Sequence, residues 1–409
     1  MSKNNENKLV PRLRFPEFAM EGEWEILPLS KLSYEITEKT KGRKFKLMSI
    51  TSGVGLVSQI EKFGKEIAGN SYDNYYVLKK GDFAYNKSST KLYPEGEVAM
   101  LEKEENGAVP NSIFTCFSFD KNKIYPIFAK YPFINNIHGR WLKKFIAVGA
   151  RANGALQVNS KDLFSIPFPY PSFKEQQKIA ACLSSLDDVI TAESKKLEVL
   201  KEHKKGLLQN LFPQEGETVP KLRFKEFEDS GEWKVMTIEQ VAKVTTGNKD
   251  TQNKVDNGEY PFFVRSQNVE RINSYSYDGE AILTSGDGVG VGKNFHYING
   301  KFDFHQRVYC IYEFEKEVSG RFVYMYFSQH FFERVMRMSA KNSVDSVRMA
   351  MITEMPILIP SKKEQQKIAY TLSSLDNLIN AQSQKIETLK LHKKGLLQGL
   401  FPDVNEHNG

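Results

Sequence analysis

Tyr85, Asn86, Lys87, Ser88, Lys91 and Tyr93 crowd into the segment AYNKSSTKLYP, from Ala84 to Pro94. Lysine can neutralise a phosphate or bond guanine in the major groove, asparagine can pair bidentately with adenine, and a tyrosine ring offers a stacking face. The segment therefore reads as a nucleic-acid contact loop, with an ordinary polar surface loop as the competing reading. Arg151 and Asn153, in RANG, make a similar polar connection. A second concentration starts with Arg265 and Gln267 after the strand-like PFFV. It continues through the glycine run SGDGVGVGKN with Lys293 and Asn294, then Gln306 and Arg307. Lys341 and Asn342 follow a helical-looking stretch near Arg321–Met338. These are the expected DNA contacts, each weighed against plain surface.

Other chemistries find little support. A phosphate loop needs G-x-x-x-x-G-K-[ST], but Asp287 stands five positions before Gly292 and Asn294 follows Lys293; the dinucleotide spacing G-x-G-x-x-G fails as well. The seven histidines are scattered without metal spacing, and His296 and His305 read as core or hydrogen-bonding residues. There is no G-x-S-x-G elbow, no Asn-Pro-Pro-Tyr or Asp-Pro-Pro-Tyr tetrapeptide, and no glycine-rich segment suited to S-adenosylmethionine. No catalytic residue and no metal ligand is expected; recognition is.

The elements that must position these residues are bounded by length and composition. A chain of 409 residues suggests two or three domains, and 40% hydrophobic with 26% charged residues is ordinary globular composition. A net charge of +7 allows a polyanionic partner without demanding one. Three cysteines, Cys116, Cys182 and Cys310, build no disulfide framework. The N-terminus lacks an apolar leader and no run approaches the ~18 apolar residues of a membrane span, so a cytoplasmic protein without membrane contact is expected.

Self-comparison is the most informative operation. KEQQKIAACLSSLDDVITAESKKLEVLKEHKKGLLQNLFP at 174–213 and KEQQKIAYTLSSLDNLINAQSQKIETLKLHKKGLLQGLFP at 363–402 agree at 29 of 40 positions. VPRLRFPEF from Val10, with Gly22-Glu23-Trp24, recurs as VPKLRFKEF from Val219, with Gly231-Glu232-Trp233. The order arm, long variable block, helix therefore occurs twice. Both blocks read as mixed α+β domains, with β-type runs at Ile113–Phe119 and Val308–Phe314 and a late helical stretch, near Phe128–Leu142 in the first. The expected segments are an arm (1–20), a first recognition block (21–170), a first helix (171–213), a linker with the second arm (214–232), a second block (233–360), a second helix (361–402) and a tail (403–409).

Apolar residues in the repeated helices fall at heptad steps: Ile179, Leu183, Leu186, Ile190, Leu197, Leu200, Leu207 and Leu211, then Ile368, Leu372, Leu375, Ile379, Ile386, Leu389, Leu396 and Leu400. Glu193, Lys204, Gln382 and Lys393 intrude as polar residues, while Leu208 and Leu397 lie off the main seam, where helices of a partner could cover them. About 35 helical residues make a rod of about 50 Å. Antiparallel pairing would place the blocks at opposite ends of that rod and bring the chain termini together, with an approximate twofold axis. The basic pairs Lys195-Lys196, Lys204-Lys205 and Lys393-Lys394, with Lys385, fit a solvated or partner-facing surface better than a nucleic-acid patch.

The doubled LRF.EF…GEW arms and KEQQKIA…LSSLD…KKGLLQ.LFP helices resemble the specificity subunits of type I restriction–modification systems, over nearly the whole chain. The resemblance implies an α+β fold of two globular target recognition domains joined by two long helices in an antiparallel coiled coil. Each domain would read one half of a split double-stranded DNA target. The helices would bind two DNA adenine methyltransferase subunits carrying S-adenosylmethionine, and two restriction–translocase subunits using ATP and Mg2+ would complete the complex. No cofactor is expected on this chain. A coiled-coil adaptor with two non-DNA ligand-binding domains, and an enzyme with an unrecognised site, are the other readings.

Overall fold

The computed structural model describes residues 9–67, 71–146, 156–338 and 346–402. The chain forms two compact units, one drawn from residues up to Glu193 together with those from Lys385 onward, the other from Ser194 to Gln384. The division cuts both long helices, so each unit holds an arm, a block, the start of one helix and the end of the other.

In the first unit the strands are β1 (Glu25–Pro28), β2 (Ser33–Glu35), β3 (Met48–Thr51), β4 (Gly55–Ser58), β5 (Tyr76–Lys79), β6 (Phe83–Asn86), β7 (Glu97–Met100), β8 (Asn106–Val109), β9 (Phe114–Phe119) and β10 (Pro167–Tyr170). A four-stranded antiparallel sheet has the order β2-β9-β6-β7, and β1 pairs with β10 where the chain enters and leaves the block. All six residues of β9 are buried, because both sheet faces are covered; this is why FTCFSF shows no polar alternation. Phe83, Phe117, Phe119, Phe133 and Phe168 fill the main core. The expected helix near Phe128–Leu142 is two helices, Pro126–Ile134 and Ile137–Leu142. Asn136 breaks it: its φ is +56°, and its side chain accepts from Gly139 N to start the second piece. A Cβ on Gly139 would lie 2.3 Å from Asn136 Oδ1, so the turn needs glycine there.

In the second unit the strands are β11 (Lys234–Thr237), β12 (Lys243–Thr246), β13 (Tyr260–Phe263), β14 (Glu270–Ile272), β15 (Tyr277–Ser285), β16 (Phe295–Phe304), β17 (Val308–Tyr312) and β18 (Pro356–Ile359). Its sheet order is β12-β17-β15-β16-β13-β14, and β11 pairs with β18 as β1 does with β10. The first four strands repeat the order and antiparallel sense of β2-β9-β6-β7; β13 and β14 extend it, with β13 parallel to β16. A helix over Gly320–Met338 packs Phe322, Phe327 and Phe331 into this unit's core.

The repeated residues make the same contacts in each unit. Arg14 pairs bidentately with Glu175 at 2.9 and 2.8 Å, and Arg223 with Glu364 at 2.8 and 2.8 Å. Gln176, fully buried, accepts from Tyr125 N and donates to the carbonyls of Lys123 and Pro171; Gln365 does the same with Ser319, Glu317 and Pro360. The paired glutamine of KEQQ is thus a clamp between helix start and block. Each arm also bonds the end of a helix, Leu13 N to Gly399 O and Leu222 N to Asn210 O, both at 2.8 Å. In the first unit this joins the N-terminal arm to the last turns of the chain.

The long helices run Phe173–Asn210 and Lys362–Leu400. In the first unit Asp187 pairs with Lys393 and Glu193 with Lys385, so one number rises as the other falls and the stretches are antiparallel. In the second unit Lys204 pairs with Asp376. The polar intrusions Glu193, Lys204 and Lys393 are therefore partners across the helix pair, and Gln382 is buried. Two expectations for the seam are corrected. Leu183 and Leu372 pack into the two block cores. Leu397 is buried in the first unit's core, so the chain's own domain covers it, whereas Leu208 is half-buried against the second unit's core and lines an open groove with Tyr326, His330 and Leu358. The seam residues Leu186, Ile190, Leu197, Leu200, Leu207, Ile379, Leu389 and Leu396 are half-buried, whereas Leu375 and Ile386 are buried.

Candidate nucleic-acid interface

The two polar concentrations occupy equivalent places. Lys87–Gly96 connects β6 to β7, and Gly286–Asn294 connects β15 to β16, the third and fourth strands of the shared sheet order. Nothing in their sequences is alike; the sheet is what aligns them.

In the first loop Lys91 is exposed, and Asn86, Lys87, Ser88 and Tyr93 are half-buried. The loop is tied down on several sides. Asn86 Oδ1 accepts from Ser88 N at 3.1 Å, Leu156 N donates to Lys87 O at 2.7 Å, and Thr90 Oγ1 accepts from Tyr93 N at 3.0 Å. The β3–β4 turn buttresses it: Ser52 and Thr90 hydroxyls meet at 3.2 Å, and Gly53 N donates to the buried Glu97 carboxylate at 3.2 Å. Burial pushes the Glu97 carboxyl upward from the ordinary range. Tyr85 is a correction. Its ring is wholly buried in β6 and its hydroxyl donates to Glu95 O at 2.8 Å, so it holds the loop from beneath and is not available to a ligand. The polarity of the following residues disguised a strand that runs on through Asn86. Tyr93 instead stacks on the ring of fully buried His138, whose Nε2 faces Gly96 O at 3.0 Å. A carbonyl only accepts, so His138 carries its proton on Nε2. Arg151 and Asn153 lie outside the described residues.

In the second unit Arg265, Gln267, Lys293, Gln306 and Arg307 are exposed. Two acidic residues organise them. Asp287 holds Arg265 Nη1 at 3.0 Å and lies 3.8 Å from Arg307 Nε, while Asp250 accepts from Gln306 Nε2 at 3.1 Å. Asn294 spends its amide inside the protein, on Arg265 O at 3.1 Å and Ser285 Oγ at 3.3 Å; it positions the arginine rather than presenting an amide to a base. His305 accepts from Arg307 N through Nδ1 at 2.9 Å and is kept below its ordinary pKa first by burial, then by the Arg265 charge. Asp287 and Asp250 escaped sequence reasoning, which looked for cations and amides; an acid inside a loop of glycines was the available signal. Lys341 and Asn342 lie outside the described residues.

The helices carry a third set that the heptad pattern passed over, because these residues lie off its stripe. Val199, Tyr370 and Leu378 in the second unit, and Leu391 in the first, are 67%, 74%, 57% and 68% exposed. Large apolar side chains in such positions are the usual mark of a covered surface when they cluster.

No helix among the described residues is long and apolar enough to cross a membrane. The family model for the type I restriction modification DNA specificity domain matches residues 30–202 and again 230–391. The chain is 25% identical over 289 residues to the type I restriction enzyme MjaVIII specificity subunit of Methanocaldococcus jannaschii, covering 63% of this chain and 67% of that one. It is 24% identical over 362 residues to the putative MjaX specificity subunit of the same organism, covering 80% and 79%. Over a shorter stretch, 39% of this chain and 34% of the relative, it is 27% identical to the EcoDI specificity subunit of Escherichia coli. Among solved structures, the type I S subunit from M. genitalium shares the fold with a TM-score of 0.61 at 14% identity, covering 97% of this chain and 100% of that one. A chain from a study of type I complex assembly and conformational transition aligns with a TM-score of 0.53 at 15% identity, covering 93% and 97%. Matched in both halves by one family model, the chain belongs to the type I restriction modification DNA specificity family.

Proposed function

We propose that the chain is the DNA sequence-specificity subunit of a type I restriction–modification complex, each domain reading one half of an asymmetric bipartite double-stranded DNA target. One observation carries this reading. The same sheet order presents the same interstrand loop twice, and the two loops bear unlike sets of cations, amides and aromatics. A duplicated mount with dissimilar readers suits two dissimilar half-sites. Joining them makes the second contact effectively intramolecular.

On this proposal the long helices set the spacing between the half-sites and bind two adenine methyltransferase subunits. Those subunits bring S-adenosylmethionine. Restriction subunits bring ATP and Mg2+, and this chain supplies no catalytic group. Such a complex works in the cytoplasm, where its DNA is. The test is to replace residues 21–170 with the corresponding block of another specificity subunit and map methylated adenines in cells that also hold the methyltransferase. One half of the methylated sequence is expected to change; a change in both halves, or in neither, defeats the modular reading.

The exposed helix residues fit the methyltransferase surface. Tyr370→Asp and Leu391→Asp are each expected to weaken methyltransferase binding by about 10-fold or more, the scale of losing a buried anchor. Their thermal unfolding should match the parent chain. Unchanged binding, measured by calorimetry with purified subunits, would place the partner elsewhere.

A further inference from the structure

Asp287 occupies an odd place for a surface that meets a polyanion. It is only 23% exposed, with the Arg265 guanidinium on one side and that of Arg307 on the other. A site built for phosphate gains from unmatched positive charge, and a carboxylate set between two arginines removes half of it. The edges of DNA bases are neutral, and there the same arrangement has a use. One carboxylate can hold two guanidinium groups side by side while leaving most of their N–H groups free. Arg265 gives one nitrogen, Nη1, to Asp287, and Arg307 faces it with Nε, so its two terminal nitrogens remain unengaged among the described residues.

The backbone beneath is equally constrained. Gly286 N donates to Arg307 O at 2.8 Å and Val347 N donates to Gly286 O at 2.7 Å, pinning the residue before Asp287 to both neighbours. A Cβ at position 286 would lie 2.9 Å from Arg307 O, and Gly288, at φ +79°, turns the chain away on the other side. Asn294 fixes the Arg265 carbonyl, and His305 fixes the Arg307 amide. Arg265 is therefore anchored at its backbone and by a hydrogen bond at its head group, while Arg307 is anchored at its backbone and drawn to Asp287 by a 3.8 Å ion pair.

We propose that Asp287 fixes Arg265 and Arg307 as a guanidinium fork that reads a guanine in the half-site of the second recognition domain. Guanine presents two acceptors, O6 and N7, on its major-groove edge, and a planar pair of N–H donors meets both at once. Asp287 is the positioning residue and the two arginines are the specificity-determining ones. The inference rests on the proposed reading of the chain as a DNA-specificity subunit.

The experiment co-expresses the full chain with its methyltransferase and maps methylated adenines genome-wide for the parent, Asp287→Asn, Arg265→Gln and Arg307→Gln. The parent is expected to methylate one bipartite sequence with a guanine in the second half. Asp287→Asn should relax that guanine by about 10- to 100-fold in discrimination, with the first half unchanged. Arg265→Gln and Arg307→Gln, at exposed side chains that leave the core intact, should relax the same position and no other. If all three variants retain guanine, or lose methylation evenly at every site as phosphate contacts would, the fork is overturned while a bipartite sequence still stands. If the parent itself shows no sequence-specific methylation, the specificity reading fails and the fork with it. Thermal unfolding of Asp287→Asn separates lost reading from lost fold, and the two glutamine variants decide the question if it unfolds.

Discussion

Arg14→Ala is expected to destabilise the first unit by about 3–5 kcal/mol, and Arg223→Ala the second by a similar amount. Both arginines are nearly buried, with side chains 8% and 7% exposed, and their partners Glu175 and Glu364 are 1% exposed. Removing either guanidinium leaves a carboxylate in a site without solvent, which costs far more than the intact pair contributes. The same arginines also donate to the carbonyls of Glu21 and Gly22, and of Gly231, so each substitution strips the arm of its other ties. Hydrogen bonding to the glutamate raises the pKa of each arginine, so the guanidinium stays charged throughout the accessible pH range. Arg14→Lys should recover little, since one ammonium cannot reproduce two parallel bonds to Glu175 and two more to the backbone. Hydrogen exchange distinguishes the units. Arg14→Ala should lower protection in the core around Phe117 and Phe133 and leave that around Phe322 and Phe327 intact, with Arg223→Ala giving the reverse. Equal loss in both cores from one substitution would show that the pairs are not local anchors.

These pairs also explain what a one-dimensional pattern could show. The duplication was open in the letters, since arms and helices repeat at fixed offsets, and the mixed α+β character of the blocks was open in their strand-like runs. That the arms and the helix starts belong together was not, because Arg14 and Glu175 are separated by a whole block. Gln176 and Gln365 are polar residues that the sequence alone does not single out, yet they are fully buried, since the backbone groups they satisfy come from chain segments that no helical periodicity describes. Tyr85 is where the letters mislead. Its polar neighbours suggested a loop, whereas the sheet continues beneath it. Asp287 was visible only as the residue that spoiled a phosphate-loop spacing. Its meaning depends on Arg265 and Arg307 arriving from two other strand ends, a purely tertiary fact.

Acidification should weaken the first unit through His138. This imidazole is completely buried and its pKa is lowered to about 4, first by loss of solvent and further by the Arg140 charge, against the opposing pull of its bond to Gly96 O. Its ordinary value is 6.5. Between those two pH values the unfolded chain binds the proton and the folded chain refuses it, so stability rises with pH across the window. The contribution is complete above about pH 6.5, is lost progressively as pH falls toward 4, and amounts to about 3 kcal/mol in all. Glu97, nearby, works in the other direction. Its raised pKa favours the folded state when the carboxyl is protonated, an advantage lost as pH rises through its folded value. The wild-type curve alone therefore mixes the two, and the difference between wild type and His138→Phe isolates the histidine. Denaturant unfolding at steps from pH 7 to pH 4 should show the wild type losing stability relative to His138→Phe by about 3 kcal/mol. Parallel curves would mean that the folded site accepts the proton. The consequence reaches the surface, because Tyr93 of the candidate contact loop rests on this ring. A charge forced into that place would unseat the loop before it unfolded the sheet, so DNA binding by the first domain should fail at a higher pH than its hydrogen-exchange protection does.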